Sequence, residues 1–172
     1  MASILVDTPV GRLLVTEEDA AIVRVSWTDP AISCHPSALL LEAAAQLTAY
    51  FDRRLTAFDL PLNPRGTPFQ RCIWGLLAAI PYGATLSYGA LATEGATGPR
   101  AAAAACAANP LPILIPCHRV LGATGRLTGY SGGDGLTTKR QLLELERTHR
   151  KPTLPGSVAF LTPPAGRDHH AP

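Results

Sequence analysis

No apolar run in this sequence approaches the ~20 residues needed to span a bilayer. The N-terminal stretch MASILVDTPVGR carries an Asp and a Pro where a secretion signal has a basic segment and then a long apolar one. Both absences point to a cytoplasmic protein with no membrane partner. Cysteine is scarce: Cys34, Cys72, Cys106 and Cys117 are the whole complement, and none forms a C-x-x-C pair. That excludes a disulfide-dense secreted scaffold and predicts free thiols in a reducing compartment, one of them a candidate nucleophile. Cys34-His35 is the one obvious soft pair in the first third, and two adjacent ligands do not build a tetrahedral zinc site. His169-His170 is too short to hold a metal. No metal and no cofactor is expected, and no internal repeat is visible. What the chain does have is 47% hydrophobic residues in 172, enough to bury a core in one large domain or two small ones. Its net charge is only +2 but is unevenly placed: residues 1–62 hold four Arg against eight acids, and residues 63–151 hold ten Lys/Arg against four. A basic second half suits a polyanion such as nucleic acid, although ordinary surface charge explains it equally well.

The patterning predicts an α+β protein. Ile4–Val6, Leu13–Thr16 and Ile22–Trp27 read as an antiparallel meander. A helix over Ser37–Leu55 follows, with Leu39, Ala43, Leu47, Tyr50 and Phe51 at helical spacing. Phe58–Leu62 reads as one more strand, and Pro61, Pro64 and Gly66 mark a linker. Residues 1–62 are thus expected to form one α/β domain and 63–150 a second. In the second, Thr67, Pro68 and Gln70 make a capping box that opens a helix. Its expected buried face is Phe69, Cys72, Ile73, Leu76, Leu77 and Ile80, which makes Cys72 structural. Two short helices, Tyr88–Glu94 and Pro99–Ala108, resemble a helix-turn-helix. The second is almost all alanine, too smooth to read base edges in the major groove. It suits either buried packing or a close backbone approach to another surface. Leu111–Ile115 reads as a buried strand, and a glycine-rich loop spans 122–135. A last helix runs from about Thr138 to His149, and 152–172 read as a poorly ordered tail.

Cys117 is the candidate nucleophile. A thiol attacks as a thiolate and so needs a base or a positive field nearby. His118 is adjacent in sequence, but neighbouring side chains diverge in an extended strand, so the pair needs a turn or a bridging water. Glu146 shares the apolar face of the last helix with Leu142 and Leu143, whereas Glu144 does not. A buried carboxylate needs a partner: His118 is one candidate, an arginine the other. A Cys–His–Glu relay results if it is His118.

With these residues in view, the sequence resembles the O6-alkylguanine-DNA alkyltransferases, or methylated-DNA–protein-cysteine methyltransferases. The motifs are PFQRCIW at 68–74, IPYG at 80–83, SYGALA at 87–92, NPLPILIPCHRV at 109–120, GRLTGYSGG at 125–133 and KRQLLELE at 139–146. DTPVGRLLV and LPLNPRGTPFQ in the first third add to them. The resemblance spans about residues 4–150. It implies an RNase H-like N-terminal domain and a mostly helical, winged helix-turn-helix-like C-terminal domain. It also implies a monomer that acts on double-stranded DNA containing O6-alkylguanine, possessing one suicidal turnover. By the same resemblance Cys117 accepts the alkyl group, and His118 activates it through a water while Glu146 holds the imidazole. Tyr88 protonates the leaving guanine and crowds the DNA backbone. Arg100 replaces the flipped base, with Ala101, Ala103 and Ala104 along the DNA-facing helix. Asn109 braces the turn before the active-site segment. Pro112, Val120, Tyr130, Ser131 and Gly132 line the guanine pocket.

The chain departs from that pattern at three places. Ala103 stands where the family usually has glycine, Ala107-Ala108 replace a polar or glycine-rich pair, and Asp134-Gly135 lengthen the loop beside the pocket. A multiple-turnover Cys–His–Glu hydrolase, a non-catalytic damage-flagging DNA-binding module and an alkyltransferase for a small molecule are the competing readings.

Overall fold

The computed structural model of the chain describes residues 1–28 and 35–147. Strands β1 (Ala2–Val6), β2 (Leu13–Glu18) and β3 (Ala21–Ser26) form an antiparallel sheet in the order β1-β2-β3. The β2–β3 hairpin closes through Asp19 and Ala20, both with positive φ, as a two-residue turn that follows the twist of its strands requires. Helix α1 (Ala38–Phe51) starts on Ser37, whose hydroxyl accepts from the Leu40 amide at 3.1 Å. It lays Leu40, Ala43, Leu47 and Tyr50 against the sheet, and each of the two leucines contributes about 1.5–3 kcal/mol when fully buried.

The segment 58–62 is not a strand. Among the described residues it forms one bridge, between Ile22 and Leu62. The Ile22 amide donates to the Pro61 carbonyl at 2.8 Å, and the Asn63 amide donates back to Ile22 at 2.9 Å. Pro61 has no amide to extend the ladder.

Helix α2 (Pro68–Ala78) opens on the expected capping box, with Thr67 and Gln70 each satisfying the other's amide. Its buried face differs from the expected one. Ile73, Trp74 and Leu77 point inward, whereas Cys72 is exposed and Phe69 is 41% exposed. The cause is Trp74, the largest wholly buried side chain, whose indole donates to the Ala105 carbonyl at 2.8 Å. Seating it turns the helix so that Cys72 faces outward. Strand β4 (Leu86–Ser87) leads into α3 (Tyr88–Glu94), and α4 (Pro99–Ala107) packs against both α2 and α3. Ala102, Ala105 and Cys106 are buried on its inner side, and Arg100 and Ala104 face outward. The alanine helix therefore serves packing on one side and leaves a smooth surface on the other.

The segment Leu111–Ile115 is buried but is not a strand. Pro112 and Ile115 bridge each other, the Ile115 amide donates to Leu111 at 2.8 Å, and Ile113 has φ +76°. Pro112 has no amide for a ladder, so the chain coils on itself instead. A 3₁₀ turn (Cys117–Arg119) follows, then β5 (Val120–Leu121), parallel to β4, and α5 (Leu136–Arg147). The expected end of that last helix at His149 and the expected tail lie outside the described residues, as do Cys34 and the 169–170 pair. The two parts of the chain share contacts: the Val25 amide donates to the Pro110 carbonyl at 2.9 Å, and Tyr50 reaches α5.

Candidate active site

Cys117 and His118 sit together in the 3₁₀ turn, which supplies the bend that an extended strand lacks. Asn109, just past the end of α4, shapes this turn. Its amide group donates to the Ile115 carbonyl at 2.8 Å and its oxygen accepts from the Leu111 amide at 3.0 Å. Cys117 is 8% exposed, and His118 is wholly buried.

Glu146 is the centre of the buried network. Both candidate partners are present. His118 Nε2 lies 2.8 Å from Glu146 Oε1. Arg119 donates twice, Nε to Oε2 at 2.9 Å and Nη2 to Oε1 at 3.0 Å. Tyr50 donates its hydroxyl to Oε1 at 2.7 Å, and the Gly83 amide donates to Oε2 at 3.2 Å. Arg119 also donates to the Ile80 carbonyl at 2.6 Å. Burial alone raises the Glu146 pKa, but the hydrogen bond from His118 and the hydrogen bonds and positive charge of Arg119 outweigh it and hold the carboxyl at about 2. Burial lowers the His118 pKa, against the upward pull of Glu146. The imidazole is thus neutral. With Nε2–H turned to Glu146, its Nδ1 is left as a buried acceptor that no described residue satisfies. The resting nucleophile is a thiol: burial raises the Cys117 pKa, partly offset by a hydrogen bond from Asn109 and the positive charge of Lys139.

These shifts predict an acid-labile fold. The unfolded chain protonates histidine near 6.5 while folded His118 refuses the proton, so stability falls as pH drops below about 6.5. Glu146 adds a second loss, beginning near its ordinary value of 4.5 and completed as pH falls through about 2. Thermal midpoints in a pH series should decline in that order. A midpoint constant from pH 6.5 to 3 would refute the arrangement.

Cys117 lies where two cavities meet. One, of about 630 Å³, is lined by Tyr88, Arg100, Ala103, Cys106, Cys117 and the loop 128–131. The other, of about 520 Å³, is lined by β3 and Trp27 on one side and by Asn109, Pro112, Cys117 and Tyr130–Gly133 on the other. Of the residues expected at the site, Tyr88, Arg100, Ala103, Asn109, Pro112, Tyr130, Ser131 and Gly132 therefore border one cavity or both. Val120 borders neither; it is wholly buried. Ala101 and Ala104 lie on α4 away from both cavities. Tyr88 is pushed up to about 12, chiefly by burial, so it holds its proton at neutral pH. The Tyr130 hydroxyl is buried without a partner among the described residues.

Sequence reasoning missed four side chains. Arg119 and Tyr50 complete the Glu146 network. Lys139 is wholly buried and donates to the carbonyls of Val120 at 2.5 Å and Thr128 at 2.8 Å, pinning the pocket loop. Its position three residues before Leu142 and seven before Glu146 was a readable sign of a shared inward face. Trp27 donates to the Val10 carbonyl at 2.9 Å and meets Tyr130 edge-on at 6.4 Å. A Cβ at Gly132 would stand 2.6 Å from the Trp27 ring, which is why the loop needs glycine there.

A small sheet-and-helix part joined to a helical part, with a buried Cys–His–Glu cluster at the base of a cleft, defines an α+β protein built around one reactive cysteine. Comparison with known families narrows this. Residues 1–64 match the 6-O-methylguanine DNA methyltransferase ribonuclease-like domain, and residues 68–148 match the DNA binding domain of the same family. The methylated-DNA–protein-cysteine methyltransferase of Mycolicibacterium paratuberculosis is 43% identical over 163 residues, covering 87% of this chain and 94% of that one. The constitutive methyltransferase of Bacillus subtilis is 38% identical over 157 residues, covering 84% and 94%. The crystal structure of Mycobacterium tuberculosis O6-methylguanine methyltransferase superposes with a TM-score of 0.77 at 37% identity, covering 88% and 96%. A structure of Mycobacterium tuberculosis OGT in complex with DNA gives 0.76 at 42% identity, covering 86% and 94%. The chain belongs to the methylated-DNA–protein-cysteine methyltransferase family.

Proposed function

We propose that this chain repairs DNA directly, by transferring an alkyl group from O6 of guanine in double-stranded DNA to Cys117, once per protein molecule. The observation that carries this reading is a buried thiol at the junction of two cavities, beside a neutral histidine whose Nδ1 has no partner among the described residues. The relatives' names and the DNA complex of one of them support the substrate. The division into two domains near residue 62 is supported by the two family matches, which end at 64 and start at 68. The protein works as a monomer in the cytoplasm, where its thiols stay reduced.

The chemistry follows from the geometry. His118 takes the Cys117 proton through a water at Nδ1, and Glu146 stabilises the imidazolium that forms. The thiolate sulfur attacks the alkyl carbon opposite O6. A carbon–sulfur bond forms, the carbon–oxygen bond breaks, and its electron pair leaves on guanine. Tyr88, kept protonated by its surroundings, gives guanine a proton and regains one from the imidazolium through solvent. The balance is thiol plus alkylguanine to thioether plus guanine. A thioether has no easy leaving group, so Cys117 is not regenerated. Tyr130, Ser131, Pro112 and Gly132 hold the base, Asn109 fixes the turn that carries the thiol, and Ala101, Ala103 and Ala104 let α4 lie close to the DNA. Val120 supports the pocket from behind.

Incubation with duplex DNA carrying O6-methylguanine should add about 14 Da, one methyl in place of one hydrogen, to Cys117 and stop at one equivalent. Label on Cys72 or Cys106 would overturn the assignment. Turnover beyond one equivalent would favour a hydrolase.

A further inference from the structure

We propose that Cys106 is a resolving thiol for Cys117: when a peroxide oxidises Cys117, Cys106 closes a disulfide with it, which stops alkyl transfer reversibly and spares the single-use sulfur from further oxidation. The inference rests on the function proposed above, in which Cys117 is the activated nucleophile, and adds a modification site to it. Cys106 has no part in the transfer reaction, yet it is a second thiol in the same cleft. It borders both of the cavities that Cys117 borders. It lies in the last turn of α4, and its carbonyl accepts the Asn109 amide at 3.2 Å. The Asn109 side chain reaches back to the Cys117 segment, donating to the Ile115 carbonyl at 2.8 Å and hydrogen-bonding the Cys117 sulfur. One residue thus ties the helix end that carries one thiol to the turn that carries the other. Of the α4 residues that line the larger cavity, Pro99, Ala103 and Ala107 bring no reactive atom, Arg100 brings a cation, and Cys106 brings a sulfur.

The two thiols are unequal, and that sets the order of events. Cys117 loses its proton to His118 through a water, as in the repair reaction. Burial pushes Cys106 up to about 12, so it stays a thiol while Cys117 reacts. The Cys117 thiolate attacks the peroxide. A sulfur–oxygen bond forms, the oxygen–oxygen bond breaks, and the departing hydroxide leaves as water with the proton held by His118. Cys117 is then a sulfenic acid, oxidised by two electrons as the peroxide is reduced. The Cys106 sulfur next attacks the sulfenic sulfur. A sulfur–sulfur bond forms, the sulfur–oxygen bond breaks, and the hydroxide leaves with the Cys106 proton as a second water. The balance is two thiols and hydrogen peroxide to one disulfide and two waters. Lys139 assists: it is wholly buried, and its positive charge favours the thiolate of either cysteine. Cys72 is a poor rival for the role, because it is exposed on α2 and borders neither cavity. Without a resolving thiol, a sulfenic acid goes on to sulfinic acid, which ordinary thiols do not reverse. In a protein that uses its sulfur once, that loss is final.

The test uses the full, reduced chain. Methyl transfer from duplex O6-methylguanine to Cys117 is read first; its absence overturns the repair function, and the steps that follow still decide the thiol pair. The protein is treated with hydrogen peroxide, its remaining thiols are blocked, and it is digested without reductant. Cleavage at arginine releases residues 101–119, which hold Cys106, Cys117 and no other cysteine. That peptide should be lighter by two hydrogens and carry no blocking group. Transfer should be lost, and dithiothreitol should restore most of it. Each variant is compared with its own untreated rate. Cys106→Ser should regain at least about fivefold less transfer than wild type, with Cys117 found as the sulfinic acid. Cys72→Ser should regain as much as wild type. A wild-type peptide that carries a blocking group on Cys106 after transfer has been lost overturns the proposal, and needs no variant to fold. Transfer that survives the peroxide, or equal recovery by Cys106→Ser and wild type, overturns it as well.

Discussion

Glu146→Gln should lower both stability and reactivity, and the two losses have separate causes. Arg119 is buried and bound to Glu146 through two nitrogens. Neutralising the carboxylate leaves that guanidinium without its counter-charge, and breaking a buried ion pair from one side costs about 3–5 kcal/mol. From the sequence alone the change looks confined to a relay. The structure adds the arginine, and with it a folding penalty. The second loss is chemical: without a negative charge behind it, His118 is a poorer base, and Cys117 alkylation should slow by about tenfold or more at neutral pH. Tyr50→Phe separates the two. It removes one charge-assisted hydrogen bond to Glu146 but keeps the carboxylate's charge, so it should cost about 1.5–3 kcal/mol and leave the rate nearly unchanged. Urea denaturation reads the first loss. The pH dependence of Cys117 alkylation by a small electrophile reads the second. Wild-type behaviour of Glu146→Gln in both would mean that the carboxylate neither holds Arg119 nor supports His118.

Most of the fold was legible because its signals are local. Thr67 and Gln70 cap their helix as their spacing says they should, and the three strands of the meander lie where β-branched residues cluster. What was not legible depends on long-range packing or on proline. The outward turn of Cys72 follows from where Trp74 finds room against α4, a fact about another helix. Segments 58–62 and 111–115 have the composition of strands, but Pro61 and Pro112 remove the amides that a ladder needs. At the site, Glu146 was legible from its helical face, and the choice between His118 and an arginine was not. The answer is both, because a carboxylate has lone pairs for several donors. Trp27 could not be read as part of the pocket at all. Its role depends on β3 meeting a loop more than a hundred positions away in the chain.

Arg100→Ala should slow repair of duplex DNA by about tenfold to a hundredfold and leave reaction with the free base O6-methylguanine within about twofold. Arg100 is the second residue of α4, directly after Pro99, and it is exposed at the edge of the cavity that also holds Tyr88 and Cys117. It makes no ion pair with any described residue, so its removal breaks no contact that holds the fold, and a surface change of this kind is worth less than about 0.5 kcal/mol in stability. Cys117, His118 and Glu146 keep their geometry in the variant. The cost must then fall on reaching the lesion. A guanine paired and stacked in a duplex has to be extruded before its O6 can meet a buried thiol, at a price of a few kcal/mol. A long cation at the entrance can enter the vacated stack and lie along the phosphates, offsetting part of that price. The rest of α4 offers no substitute, because Ala101, Ala103 and Ala104 carry only methyl groups. The free base has no stack to leave and no gap to fill, so it never draws on Arg100. The contrast is sharper if a third substrate is added, a duplex in which the lesion faces a mismatch. Its extrusion is already easier, and the loss in Arg100→Ala should be smaller than on the paired lesion. Equal slowing on duplex and free base would place Arg100 in the chemistry or the fold and not in extrusion of the base.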